Sequence, residues 1–157
     1  MSIEAAVATR LMTALGHDRI YPDARWLKTD SQTGEAILLA QLPVLMYRQT
    51  GGSGGDSLTD GRGALREDYF TLEVFAEGRN ECSAVRDKLI DEFPGPVDPD
   101  NPGGWATWGV PKTEGSALVH WATVDDPEGG AEFPESDVHQ LFRYVRMVLT
   151  VQWYKGA

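Results

Sequence analysis

Residues 140–153 alternate almost without fault. Leu141, Val145, Met147, Leu149, Val151 and Trp153 fall on one side. Phe142, Tyr144, Arg146, Val148, Thr150 and Gln152 fall on the other, and Arg143 breaks the first side near its entrance. A two-residue period sends successive side chains to opposite faces of a strand. The chain is thereby committed to a sheet, and its other segments are read by what they could pair with or cover.

Residues 67–76 alternate in the same way. Phe70, Leu72, Val74 and Ala76 share one face, while Tyr69, Thr71, Glu73 and Phe75 share the other. Residues 43–50 (PVLMYRQT) read as a strand that starts with proline, where no ladder donor is needed. Residues 117–124 (ALVHWATV) read as a fourth. Two segments carry the helical period instead. Ile3, Ala6, Val7, Leu11, Ala14 and Leu15 line one face behind a capping Ser2, with Gly16 as the stop. Asn80 is expected to cap a second helix whose apolar stripe is Cys82, Val85, Leu89, Ile90 and Phe93. Residues 30–34 are turn chemistry, and 35–41 could be a short helix or a strand. Residues 51–63 hold six glycines and no apolar period, which predicts a loop. Residues 94–111, with five prolines and four glycines, predict a long irregular connection. The order helix, strand, strand, helix, strand, strand implies one α+β domain over residues 1–157. It would have a single mostly antiparallel β-sheet, two main α-helices packed on one face, and long loops.

The net charge of −10 argues against a protein that wraps nucleic acid through its phosphates. The charge is uneven: residues 125–137 carry six carboxylates and no base. Such a tract is a solvated loop or a surface that repels something anionic. Cys82 is the only cysteine, so no disulfide can form within the chain. No apolar stretch is long enough to span a bilayer, and no signal-type segment opens the chain. A soluble, intracellular protein is expected, without a membrane partner.

The motifs for chemistry are thin. Gly51-Gly-Ser53-Gly-Gly55 matches the G-x-S-x-G pattern formally. That motif works at a sharp strand-to-helix turn, whereas here more loop and then a strand follow. Asp98-Pro-Asp100-Asn101-Pro-Gly103 begins like a calcium loop, but Gly109 stands where the bidentate Glu belongs. His17, His120 and His139 are too scattered for a zinc site. His120 reads as a satisfied, half-buried strand residue, and Cys82 as a small core residue. No glycine loop carries a P-loop lysine. No cofactor or metal is implied. Trp121 and Trp153 fit strands and default to the core. Trp26, Trp105 and Trp108 lie in expected loops, where they either pin the loop or anchor an interface.

Several pieces in order resemble the tail terminator, or tail-completion, family of long-tailed phages, prophages and gene transfer agents. The first helix ends in Gly16-His-Asp-Arg-Ile-Tyr-Pro22, and a strand begins Leu42-Pro-Val-Leu-Met-Tyr-Arg48. Asp60-Gly-Arg-Gly63 precedes a strand ending Val74-Phe-Ala76, and a helix with Ala84-Val-Arg-Asp-Lys-Leu89 follows. A final strand ends Val151-Gln-Trp-Tyr154. The segment 23–41 and the 94–111 connection are longer than the family's usual links.

The resemblance implies a structural virion protein at the tail–neck junction, assembled in the host cytoplasm, with no catalysis. Copies would form a ring, commonly a hexamer. The ring would cap the major tail tube protein, stop its polymerisation and meet the head–tail connector or stopper, while DNA passes through. Within that expectation, Arg62, Arg66, Trp26, Trp105 and Trp108 are candidate assembly contacts. Asp125, Asp126, Glu128 and Glu132 are candidate channel-facing acids. The glycine-rich loop is expected to be mobile in a free subunit and ordered in the assembly. The competing readings are another neck or head-completion protein, a small serine hydrolase using Ser53, and a generic ligand-binding domain.

Overall fold

The computed structural model describes residues 3–34, 36–53, 65–109, 116–125 and 143–155. In chain order its elements are helix α1 (Ile3–Leu15), strands β1 (Ile20–Tyr21), β2 (Leu27–Thr29), β3 (Ala36–Leu38), β4 (Val44–Ser53) and β5 (Arg66–Ala76), helix α2 (Arg79–Glu92), and strands β6 (Pro94–Pro96), β7 (Ala106–Trp108), β8 (Ala117–Asp125) and β9 (Arg143–Lys155). Seven strands form one sheet in the order β1-β4-β5-β9-β8-β6, with β7 also on β8. All pairs are antiparallel except β1 with β4.

The strand that alternates best in the sequence is the spine of this sheet. β9 pairs with β5 from Arg66↔Trp153 to Ala76↔Arg143, and with β8 on its other side. Val145, Met147, Leu149, Val151 and Trp153 face a single core, together with Phe70, Leu72 and Val74 of β5 and Leu45 of β4. Both helices pack on that face, α1 through Ile3, Ala6, Val7, Leu11 and Ala14, and α2 through Leu89 and its end residue Phe93. Each such aliphatic side chain taken out of water contributes about 1.5–3 kcal/mol. Gly16 ends α1 as its left-handed φ of 73° allows, and its N–H reaches Met12 O at 2.8 Å.

The α+β class holds, but the expectation of a single sheet does not. Residues 23–41 build a second, two-stranded sheet, β2–β3. The turn chemistry at Asp30 makes it possible. Asp30 Oδ1 accepts the Gln32 N–H at 2.8 Å, and Asp30 O accepts that of Gly34, whose φ is +72°. This small sheet lies on the outer face of the main sheet. Trp26, Leu42, Val44 and Phe75 form a second buried cluster there, with Leu27, Leu38, Ala40 and Tyr144 against it.

Three further expectations are corrected. Asn80 does not cap α2: Gly78 does, in extended conformation and with no side-chain bond, so Asn80 sits inside the first turn. Residues 94–111 are not wholly irregular, because β6 and β7 both pair with β8. The loop expected from Gly51 starts later, because Gly51, Gly52 and Ser53 stay in the ladder opposite Tyr69, Asp68 and Glu67. Cross-strand hydrogen bonds hold the backbone there whatever the side chains lack. Residues 54–64 lie outside the described residues.

Candidate assembly surface

The outer face of the sheet is covered at two corners and open between them. At one corner the β2–β3 hairpin covers Val44 and Phe75, with Trp26 and Phe75 ring centroids 4.8 Å apart. At the other, Trp105 stacks on Tyr154 at 4.8 Å and 23° and lies 4.7 Å from the His120 ring. Between them Tyr69, Thr71, Glu73, Val148, Thr150 and Gln152 remain partly exposed. A polar network crosses this strip. Tyr69 donates its hydroxyl to Glu67, and Gln152 Nε2 donates to the other Glu67 oxygen at 2.7 Å. These hydrogen bonds hold the Glu67 carboxyl below its usual range.

A β-bulge decides which tryptophans face outward. Val119 pairs with Trp153 and Trp121 with Gln152, so His120 is an extra residue in β8. Before it Ala117 and Val119 point into the core, and after it Ala122 and Val124 do. Trp121 is thereby turned out, 38% exposed, contrary to the core expectation. Its ring lies over Gly95, where an added Cβ would stand 2.9 Å from the indole. His120 is half-buried as expected, but its Nε2 has no hydrogen-bond partner among the described residues.

The candidate contact residues therefore separate. Trp26 (2% exposed) and Trp108 (5%) are pinned in the two buried clusters and cannot anchor a partner without the fold opening. Trp108 packs edge-on against Phe93 at 5.7 Å, and the Arg10 guanidinium lies 5.9 Å from its ring centroid. Arg10 is itself paired with Glu92 at 3.0 Å. Trp105, 44% exposed, keeps a free surface. Arg66 lies 5.5 Å over the Trp153 ring, on the core side of the sheet rather than on its open face. Asp125 is exposed at the end of β8. Arg62, Asp126, Glu128 and Glu132 lie outside the described residues. The outward group that the structure does assemble is Trp105, Tyr154 and His120, while the exposed Trp121 lies over Gly95. Exposed Ile37 and Leu39 on the small hairpin are a separate apolar knob.

One buried charge sits where β4, β5 and β9 end together. Asp68 Oδ1 accepts Gln49 Nε2 at 2.7 Å, and Oδ2 accepts Trp153 Nε1 at 2.5 Å. Gly52 stands opposite Asp68, and a Cβ there would run into the carboxylate. No sequence motif announces this arrangement; a polar residue on the core parity of a strand is the one available signal.

Two concavities adjoin these surfaces. One of about 20 Å³ lies among Arg10, Glu92, Phe93 and Trp108, large enough for a water. A groove of about 240 Å³ runs along the outer side of β4, lined by Pro22, Asp23, Ala24, Met46, Arg48, Thr71 and Glu73. Among the described residues no three His, Cys, Asp or Glu side chains converge, and no helix is long and apolar enough to cross a membrane. Ser53 is a ladder residue opposite Glu67, not the apex of a strand-to-helix turn. Asp98 to Gly104 form turns, with Asn101 N–H to Asp98 O at 3.0 Å and Gly104 N–H to Asn101 O at 2.7 Å. No family model and no curated protein matches the chain.

Proposed function

We propose that this chain is a ring-forming tail terminator: a structural subunit that caps the tail tube, stops its growth and meets the head connector. The reading rests on the order of elements that resembles that family. The observation that carries it furthest is the two-sided sheet. One face is closed by both helices, and the other is left open between two aromatic corners. A head-to-tail ring needs two unlike patches on each subunit. The open strip with Trp105 and Trp121 supplies one, and the knob of Ile37 and Leu39 supplies a different one. Binding free energy does the work, and no covalent chemistry is called for. Asp125 and the acidic tract after it would line the channel, where unpaired carboxylates keep passing DNA from adhering.

The test is to add the purified chain to polymerising tube protein. Tubes should stop lengthening, and electron microscopy should find a ring at one end. A chain that stays monomeric and leaves tube length unchanged overturns the reading. If the ring sits on the head connector instead of the tube, the protein is another neck component. A ring with residues 125–137 on its outer wall removes the channel role of those acids.

A further inference from the structure

Residues 17–25 form a strap between two fixed points. One is Gly16, the left-handed stop of α1, and the other is Trp26, buried in the second cluster. The strap lies along the start of β4 and contributes β1, which pairs there through Ile20↔Leu45 and Tyr21↔Met46. Arg19 is its buckle. The Arg19 carbonyl accepts the Leu45 N–H at 3.0 Å, and the Arg19 Nε donates to Pro43 O at 3.0 Å. The turn that presents Arg19 is held by His17, whose Nδ1 accepts the Arg19 N–H at 3.1 Å. Only a ring without a proton on Nδ1 can accept there. Protonation ends that bond and sets a second cation beside the Arg19 guanidinium, with Lys88 of α2 acting in the same direction and Asp18 against it. Ile20, buried in the main core, is what opposes release.

We propose that residues 17–25 are a pH-sensitive strap: when His17 takes up a proton, Arg19 and β1 release the start of β4 more often. Pro22, Asp23 and Ala24 form one wall of the 240 Å³ groove, so release opens that groove. Trp26 stays in its cluster, and the hairpin beyond it keeps its place. The closed strap remains the main state, because Ile20 keeps it seated; what acid changes is how often it opens. The direction follows from linkage. Burial, and then Arg19, lower the proton affinity of His17 in the closed strap, so the open strap binds the proton more readily. Opening is therefore rarest above pH 6.5 and grows as pH falls from there toward the folded value. The device is independent of the tail-terminator reading and holds whatever the groove meets.

The experiment follows hydrogen exchange at the Leu45 amide between pH 7.5 and pH 5.5, corrected for the intrinsic pH dependence of exchange. Carboxylates of ordinary pKa stay ionised across that window. The amide should exchange through an opening that low urea does not promote, as local openings do. Its protection should fall several-fold across the window, and at most about tenfold for one proton. His17→Asn keeps a side-chain acceptor for the Arg19 N–H and has nothing to titrate, so protection should stay high at both pH values. His17→Ala has no acceptor and should show the lowered protection already at pH 7.5. The response of the unsubstituted chain decides the matter if a variant does not fold. Equal protection of that chain at the two pH values, or Leu45 exchange only by global unfolding, overturns the proposal. So does a pH response that survives in His17→Asn, or a His17→Ala protein as protected as the unsubstituted chain at pH 7.5.

Discussion

Gly52 and Asp68 are the residue pair on which the end of the sheet depends. A buried carboxylate is tolerated only when its oxygens are satisfied, and Asp68 manages this with Gln49 on one oxygen and Trp153 on the other. Gly52→Ala drives a methyl into that carboxylate and toward Glu67 O at 3.0 Å. It should cost about 2–4 kcal/mol, because the carboxylate must leave its donors or the ladder must part. Asp68→Asn keeps the shape and should cost less, about 1–2 kcal/mol. Urea denaturation of both variants checks the order, and a Gly52→Ala protein as stable as the parent defeats the account. Cys82 is a second buried group with a measurable signature. Its thiol donates to Arg143 O at 3.1 Å, and burial pushes its pKa from 9.0 up to about 11. The folded thiol should resist alkylation at pH 8 and react only on unfolding. Because the folded value is raised, the stability it contributes is whole below pH 9 and is lost as pH rises toward 11. Alkylation of the native protein at the rate of a free thiol would contradict this.

At the scale of the element, the β8 bulge determines what the sheet shows to the outside. Strict alternation through Ala117-Leu-Val-His-Trp-Ala-Thr-Val would put Trp121 in the core and Ala122 and Val124 outside. The inserted His120 reverses this for the second half of the strand. Deleting His120 should therefore remove the bulge and leave every other side chain on its present face, Trp121 outward and Ala122 and Val124 inward. The loss is then that of the His120 ring against Trp105, about 0.5–1.5 kcal/mol. Trp121→Ala removes a half-covered ring and should cost no more than about 2 kcal/mol. Thermal unfolding of both variants checks this, and a loss above about 3 kcal/mol on deleting His120 would mean that it is not simply an inserted residue. The same element marks where the sequence was legible. The long alternating strands β5 and β9 and the face of α1 were readable because a single period runs through each. Trp121 was not, since one extra residue reverses the period and no side chain announces it. Trp26 and Trp108 were ambiguous for a different reason: their burial depends on segments far along the chain, Phe75 for one and Phe93 for the other. Trp105 was placed on the surface side by its stack on Tyr154, again a distant partner.

At the scale of the whole molecule, a chain of charge −10 works against its own compactness, so its acid response is set by particular groups as well as by net charge. His17, just past α1, has its pKa lowered from 6.5 by burial first and then by Arg19, with Asp18 opposing. Its Nδ1 accepts the Arg19 N–H at 3.1 Å, a bond that a protonated ring could not make. A lowered value means that the unfolded chain binds the proton more readily, so stability is full above pH 6.5 and falls as pH drops through the folded value. Glu67 has the same sign in a lower window. Tyr69 and Gln152 lower it from 4.5, and the stability that it lends is lost as pH falls below that range. Acid destabilisation should thus come in two stages, the first beginning just below pH 6.5. His17→Gln removes the titrating ring, so the first stage should flatten while the second remains. Urea midpoints at intervals from pH 7.5 to pH 3.5 read both. A first stage that persists undiminished in His17→Gln would assign it elsewhere. An unchanged second stage in Glu67→Gln would assign it to other carboxylates rather than to this hydrogen-bonded one on the open face.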